Sequence, residues 1–498
     1  MDLLTNLHYG FSVALTLQNL FYCFVGVLLG TLIGVLPGIG PLATISMLLP
    51  ITYNVPAVSA MIMLAGIYYG AAYGGSTTSI LVNLPGETAS VITCIDGYQM
   101  ARQGRAGPAL AIAAIGSFFA GTVCTMIIAA FGPALAGMAL KFGSPEYFSL
   151  MLMALVTAAV LAQGDTIKSL AMVAWGLLFG IVGSDVDSGI TRFTFGFFEL
   201  LEGIDFVVIA IGVFAVGEIV CNLSDPEQRQ VFASKLGSLY PSREDLKQSA
   251  FPIFRGTAIG AFFGTLPGTG PAISSFCSYM VEKRIARDPS RFGHGAIKGL
   301  AGPESANNAA SQCAFIPTLT LGVPGSATMA LMLAALMIKG ITPGPSVMVE
   351  QPALFWGLIA SMWIGNLMLV ILNLPLVGVW VKLLKVPYRL LFPAIMVFSA
   401  IGVYSIDNSP FDLYLVAFFA VLGIAWRVFG FSPVPMMLGF VLGPMLEENL
   451  RRALQVSEGD PTVFLTRPIS LAFILVAVLL LIAMWLPALR KRRDDIIG

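Results

Sequence analysis

The chain has 498 residues and as many acidic as basic side chains, 27 of each; 57% of it is hydrophobic and only 11% charged. Soluble proteins carry about 25% charged residues, and the mean hydropathy here is +0.86, so a soluble globular fold is excluded, and zero net charge argues against a nucleic-acid partner. Long apolar runs recur from end to end, which reads as an all-α polytopic membrane protein.

Met1 to Leu15 lacks a basic n-region, so no cleavable signal peptide is expected. Residues 17–36 form a first apolar helix, whose Gly30-x-x-x-Gly34 spacing suits close helix approach. It runs into Pro37-Gly38-Ile-Gly40-Pro41, which cannot continue a helix. A second arm, 42–51, stops at Pro50, and the link 52–57 is uncharged. Residues 57–72 are apolar; the polar run from Tyr73 through Ser76, Thr77, Thr78, Ser79 and Asn83 leads to a further break at Pro85-Gly86-Glu87. Loop 96–108 carries Arg102 and Arg105, and spans follow at 109–131, 147–163, 167–184 and 204–222. The segment 223–250 is the longest polar one.

The opening motif then returns as Gly260-x-x-x-Gly264-Thr-Leu-Pro267-Gly268-Thr269-Gly270-Pro271, with Ser274 and Ser275 beside it. Loop 281–298 is strongly basic, and residues 299–315 hold the polar run Pro303-Glu304-Ser305-Ala-Asn307-Asn308. A break at Pro324-Gly325-Ser326 precedes spans at 353–373, 389–406, 412–429, 431–446 and 468–487, and the tail is Arg490-Lys-Arg-Arg493. The six cysteines are scattered through apolar segments as packing residues, with no metal-type pair, and His8 and His294 have no partner pattern.

Three landmarks recur in the same order, 230 to 244 residues apart: the Pro-Gly-x-Gly-Pro motif, the Pro85-Gly86 and Pro324-Gly325 breaks, and Pro108-Ala-Leu…Ser117…Gly121 against Pro352-Ala-Leu…Ser361…Gly365. Two homologous halves are therefore expected, 10–225 and 240–465, with 466–498 as a C-terminal transmembrane helix and basic cytoplasmic tail. Short basic loops mark the cytoplasmic side. Link 52–57 is uncharged whereas its counterpart 281–298 is basic; loop 96–108 is basic whereas its counterpart 339–352 is not. This bias predicts inverted repeats with discontinuous helices and re-entrant hairpins, an outside N-terminus, an inside C-terminus, and about eleven crossings plus four hairpin arms. The loops near Asp185, Asp187, Asp407 and Asp412 fall outside, and those with Lys382, Lys385 and Arg389 inside.

Irregular backbone at membrane depth is tolerated where it is buried or lines a cavity. A Pro-Gly tip frees carbonyls that suit a cation such as Na⁺ and amides that suit a carboxylate. The candidate substrate- or ion-binding residues are therefore Pro37, Gly38, Gly40, Pro41, Ser76, Thr77, Thr78, Asn83, Pro85, Gly86, Pro267, Gly268, Thr269, Gly270, Glu304, Ser305, Asn307, Asn308, Pro324, Gly325 and Ser326. One isolated Pro-Gly kink is more often structural, and membrane Ser and Thr commonly back-bond or glue helices. Paired breaks in matching positions favour function. Glu87 and Glu304 read either as ion or proton sites or as helix caps, with capping slightly favoured for Glu304 because Pro303-Glu304 resembles a helix start.

The segments Gly34 to Thr44, Tyr69 to Glu87 and Gly302 to Asn308 resemble the large permease subunit of the tripartite tricarboxylate transporters over nearly the whole chain. The resemblance implies a bacterial inner-membrane protein with a small four-helix membrane partner and a periplasmic solute-binding protein. It also implies secondary transport of citrate or related carboxylates driven by an ion gradient, Na⁺ or H⁺, with no cofactor. An elevator-type motion fits paired hairpins. The alternatives are a passive carboxylate channel and a non-transporting scaffold subunit. An intramembrane enzyme has no support: neither Gly-x-Ser-x-Gly with a His partner nor His-Glu-x-x-His occurs, and no Walker A motif is present.

Overall fold

Two glycine-lined helix pairs hold the molecule together in a computed structural model that describes residues 3–485 except 37–38, 140, 163–164, 186–187, 218–219, 221–238, 267–269 and 384–387. Five sequence-predicted site residues, Pro37, Gly38, Pro267, Gly268 and Thr269, lie outside the described residues, as do Asp187, Lys385, the tail Arg490–Arg493 and much of the polar segment 223–250.

The chain opens with α1 (Leu3–Ala14), α2 (Leu17–Gly34), α3 (Pro41–Leu48) and α4 (Ala57–Val82). A run of short turns over 88–105 leads to α5 (Ala106–Ala139), α6 (Ser144–Leu161), α7 (Thr166–Gly180) and α8 (Phe206–Ala210). The second half holds α9 (Arg243–Gly264), α10 (Gly270–Ile285), α11 (Ile297–Cys313), α12 (Phe315–Leu321), α13 (Ala327–Ile338) and α14 (Pro352–Asn373). There follow α15 (Val377–Leu383), α16 (Tyr388–Asp407), α17 (Pro410–Val428), α18 (Val434–Val456) and α19 (Pro468–Trp485). Among the described residues the only sheet is a two-stranded one, β1 (Gly183–Ser184) and β2 (Thr191–Arg192). The protein is thus an all-α polytopic membrane protein. Among the described residues, five helices are long and apolar enough to cross a membrane: Leu17–Gly34, Ala57–Val82, Ala101–Ala139, Pro352–Asn373 and Pro410–Val428; shorter apolar helices accompany them.

The central pairs are α2 on α4 and α9 on α11. A Cβ built at Gly26, Gly30 or Gly34 would lie 2.2, 2.4 or 2.4 Å from the carbonyl oxygens of Met63, Ile67 and Ala71. At Gly256, Gly260 and Gly264 the same atom would meet the carbonyls of Gly302, Ala306 and Ala310 at 2.1, 2.3 and 2.6 Å. Only glycine permits such backbone contact, which is how helices associate where lipid supplies no hydrophobic drive. Each pair also receives a long helix from the other half, α14 on α4 and α5 on α11.

Two expectations need correction. The run Tyr73–Asn83 is not a separate polar stretch: α4 continues through it to Val82. Its hydroxyls are satisfied in place, because Ser76, Thr77, Thr78 and Ser79 donate to the carbonyls of Ala72, Tyr73, Gly74 and Gly75. Likewise Pro303 does not start a helix but sits inside α11. Every residue from 299 to 320 is buried, and Ser275 Oγ of α10 donates to Pro303 O at 3.3 Å.

The connections gather at two places. Lys339 Nζ, just after α13, donates to Tyr53 O and Val55 O at 2.5 and 2.7 Å. Elsewhere Asp96 Oδ1 accepts the backbone N–H groups of Gly293, Gly295 and Ala296 at 2.8–2.9 Å, Tyr279 donates to Asp96 Oδ2, and Gln103 donates to His294 O. Link 52–56 thus meets the segment after α13, and segment 94–105 meets the loop before α11.

Candidate functional site

Each half brings its own two breaks together. In the first, Thr78 Oγ1 also donates to Val35 O at 2.7 Å, taking up a carbonyl at the end of α2. Gly86 lies against Gly75, where a Cβ would fall 2.5 Å from the Gly75 Cα, and a Cβ at Gly40 would meet Gly86 O at 3.0 Å. Gly40 and Pro41 open α3 with no side-chain cap. In the second half, a Cβ at Gly325 would lie 3.5 Å from the Ala314 Cβ and 3.7 Å from Gly264 O.

The backbone follows one pattern at both second breaks. Asn83 (φ 61°, ψ 26°) and Gly322 (φ 70°, ψ 18°) end their helices in the left-handed conformation. Leu84-Pro85-Gly86 and Val323-Pro324-Gly325 follow. Glu87 (φ −148°, ψ 169°) and Ser326 (φ −157°, ψ 170°) then open the next helical turn. Ser326 caps α13 by accepting Met329 N–H at 3.2 Å. At Glu87 the backbone N–H donates to Ser90 Oγ, and that hydroxyl donates to Glu87 O, whereas Glu304 lies in mid-helix, away from a helix start.

A contact crosses between the halves at the first of these caps. Asn307 Nδ2 donates to Glu87 Oε1 at 3.0 Å.

A second polar cluster surrounds Glu304, which is 1% exposed in the middle of α11. Ser76 Oγ donates to its Oε2 at 2.7 Å, and Thr93 Oγ1 to its Oε1. The ion pairs among the described residues lie elsewhere, so neither Glu304 nor Glu87 faces a basic partner there. One turn along, Asn308 Nδ2 donates to Ser117 Oγ at 2.6 Å, and Gln312 Nε2 donates to Thr125 Oγ1 at 2.9 Å. On α4, Tyr73 OH donates to Asn366 Oδ1 at 3.1 Å. A small cavity lies between α4, α5, α11 and α14, lined by Tyr73, Ser76, Thr77, Ser117, Glu304 and Asn373 together with apolar side chains.

The structure therefore unites Ser76, Glu304, Asn307 and Asn308, and it stacks Gly40 on Gly86. Asn83 is exposed and stays apart from the polar network. Ser305 donates to Ala301 O and packs on Gly116, a helix contact only. The second motif is less enclosed than the first: Leu266 is 38% exposed, and a Cβ at Gly270 would meet nothing within 4 Å. Sequence reasoning passed over Thr93, Tyr73, Gln312, Asn366 and Asn373, whose hydrogen-bond or cavity partners are mostly hundreds of residues away.

The family described as "Tripartite tricarboxylate transporter TctA family" matches residues 20–438. An uncharacterized 52.8 kDa protein of the TAR-I ttuC' 3' region in Agrobacterium vitis is 57% identical over 496 residues, covering 100% of this chain and 99% of its own length. An uncharacterized protein of the TAR-II ttuC' 3' region in the same organism is 56% identical over 237 residues, 48% of this chain and 98% of its own. No solved structure matches the chain.

Proposed function

The chain belongs to the tripartite tricarboxylate transporter TctA family, and from that premise we propose that it is the permease through which a carboxylate enters the cell, driven by an ion gradient. Membership makes it the large membrane subunit of a tripartite system. The further assignments are a bacterial inner-membrane location, a small four-helix membrane partner, a periplasmic solute-binding protein that delivers substrate, and Na⁺ or H⁺ as the coupling ion.

The observation that carries this reading is the pairing of the connections. In parallel repeats, link 52–56 and loop 286–296 occupy matching places and share a membrane face. Here link 52–56 is bonded to Lys339, and loop 293–296 to Asp96. That exchange fits inverted repeats, in which the first hairpin enters from one face and the second from the other. The breaks then face one another near mid-membrane, where freed backbone amides can hold a carboxylate without a buried base. Weak dipolar binding also allows release. The paired hairpins and their break clusters suit an elevator motion; cross-links between the halves that left transport intact would count against it.

The test is uptake by the reconstituted complex with substitutions at the crossing contact. Asn307→Ala and Glu87→Gln should assemble as the wild type does and lose most carboxylate uptake. Full uptake in both would place the substrate elsewhere.

A further inference from the structure

We propose that the cavity between α4, α5, α11 and α14 is a binding site for one dehydrated monovalent cation of sodium size, with Glu304 as its negative ligand. This deepens the transport reading and rests on it, but it places the ion away from the hairpin tips, in a pocket whose lining includes three residues outside the candidate set drawn from the sequence, Tyr73, Ser117 and Asn373.

The chemistry of the lining selects the ligand. The Tyr73 hydroxyl spends its hydrogen on Asn366 Oδ1, Thr77 on Tyr73 O, and Ser76 on Glu304 Oε2 or Ala72 O. What these oxygens have left to offer the cavity is lone pairs. Asn373 Nδ2 donates to Leu369 O at 2.9 Å, while its Oδ1 has no partner although the residue is only 7% exposed. A buried acceptor without a donor costs about 1–3 kcal/mol, so an unpaired carbonyl oxygen beside an uncompensated carboxylate calls for a positive guest. An anionic substrate meets the Glu304 carboxylate here with no basic side chain, and its only donors would be the Ser117 hydroxyl and the second hydrogen of Asn373 Nδ2, so the lining favours a cation. A proton on Glu304 would cancel the charge but leave Asn373 Oδ1 unsatisfied. A bare cation answers both, since hard cations take oxygen ligands and require no nitrogen or sulfur.

The site also joins the halves. Ser76 and Tyr73 come from one half, Glu304 and Asn373 from the other, and Thr93 follows the Pro85-Gly86 break. A cation bound here would hold that break segment against α11, which couples ion occupancy to the position of the break.

The experiment is equilibrium binding of radioactive Na⁺ to the purified full-length chain in lipid nanodiscs, at fixed ionic strength with choline as replacement. Wild type should bind Na⁺ saturably, Glu304→Gln should lose binding, and Asn373→Ala should weaken it roughly 10- to 100-fold. Ser117→Ala provides a second, milder reduction if Glu304→Gln does not yield monodisperse protein. Absence of saturable Na⁺ binding in the wild type, or unchanged affinity in Asn373→Ala and Ser117→Ala, overturns the assignment. Carboxylate uptake by the reconstituted complex separates the two levels. Gradient-driven uptake with no change in Na⁺ binding among the variants leaves the transport reading and removes this site. Glu304-dependent Na⁺ binding with no uptake of any carboxylate leaves the site and removes the transport reading.

Discussion

At the scale of single residues, the account stands on backbone contact. Gly30 packs on Ile67 O, so Gly30→Val should destabilise the folded protein by at least ~1–3 kcal/mol, read as a lowered melting temperature and loss of monodisperse protein. Gly137 has open space where its Cβ would go, and Gly137→Ala should be neutral or slightly stabilising in the same measurement. Equal effects from both substitutions would remove the close α2–α4 contact from the account. Asn83 offers a backbone test. Its left-handed conformation suits Gly as well as Asn, so Asn83→Gly should melt as the wild type does, whereas Asn83→Val should cost on the order of 1–2 kcal/mol. Since Asn83 is exposed and outside the polar network, carboxylate uptake by Asn83→Gly should also stay at the wild-type level.

At the scale of elements, the orientation of the hairpins is open to direct measurement. In a cysteine-free background, single cysteines at Asn54 and Ser346 should react with an impermeant maleimide from one side of the membrane. Cysteines at Pro289 and Gln103 should react only from the other. Labelling of Asn54 and Pro289 from the same side would sink the inversion. Much of this layout is legible in the sequence, because a span in lipid must be a hydrogen-bonded apolar helix: expected spans 353–373 and 412–429 became Pro352–Asn373 and Pro410–Val428. The breaks at Pro85 and Pro324 were equally plain, since proline followed by glycine stops a helix. What hydropathy misreads is α11. Its small and polar residues read as a polar run, yet all of it except Lys298 is buried, with Glu304, Asn307, Asn308 and Gln312 bonded to side chains of neighbouring elements. The Ser76–Ser79 run misleads for the same reason, as back-bonding to the preceding turn hides its polarity. Thr93, Asn366 and Asn373 stay invisible because nothing local marks their distant partners.

At the scale of the whole molecule, the two glycine-lined pairs, the exchanged long helices α5 and α14, and the matching caps at Glu87 and Ser326 describe two similar units clasped around buried polar clusters. Gly40 of the first motif packs on its partner break, while at the second Leu266 is exposed and a Cβ at Gly270 would meet nothing within 4 Å. Unequal surroundings at the described flanks of two matching motifs suit one state of the proposed alternating-access cycle. In the proposed transport cycle, exchange of the two environments would be the transport step, with an ion gradient supplying its direction. The most direct test is uptake of a panel of labelled carboxylates by the complete reconstituted complex with its binding protein, imposing Na⁺ and H⁺ gradients separately. The account predicts that at least one carboxylate accumulates inside above its outside concentration under one imposed gradient and only equilibrates without it. Uptake that never exceeds equilibration under either gradient would contradict it and leave a passive channel.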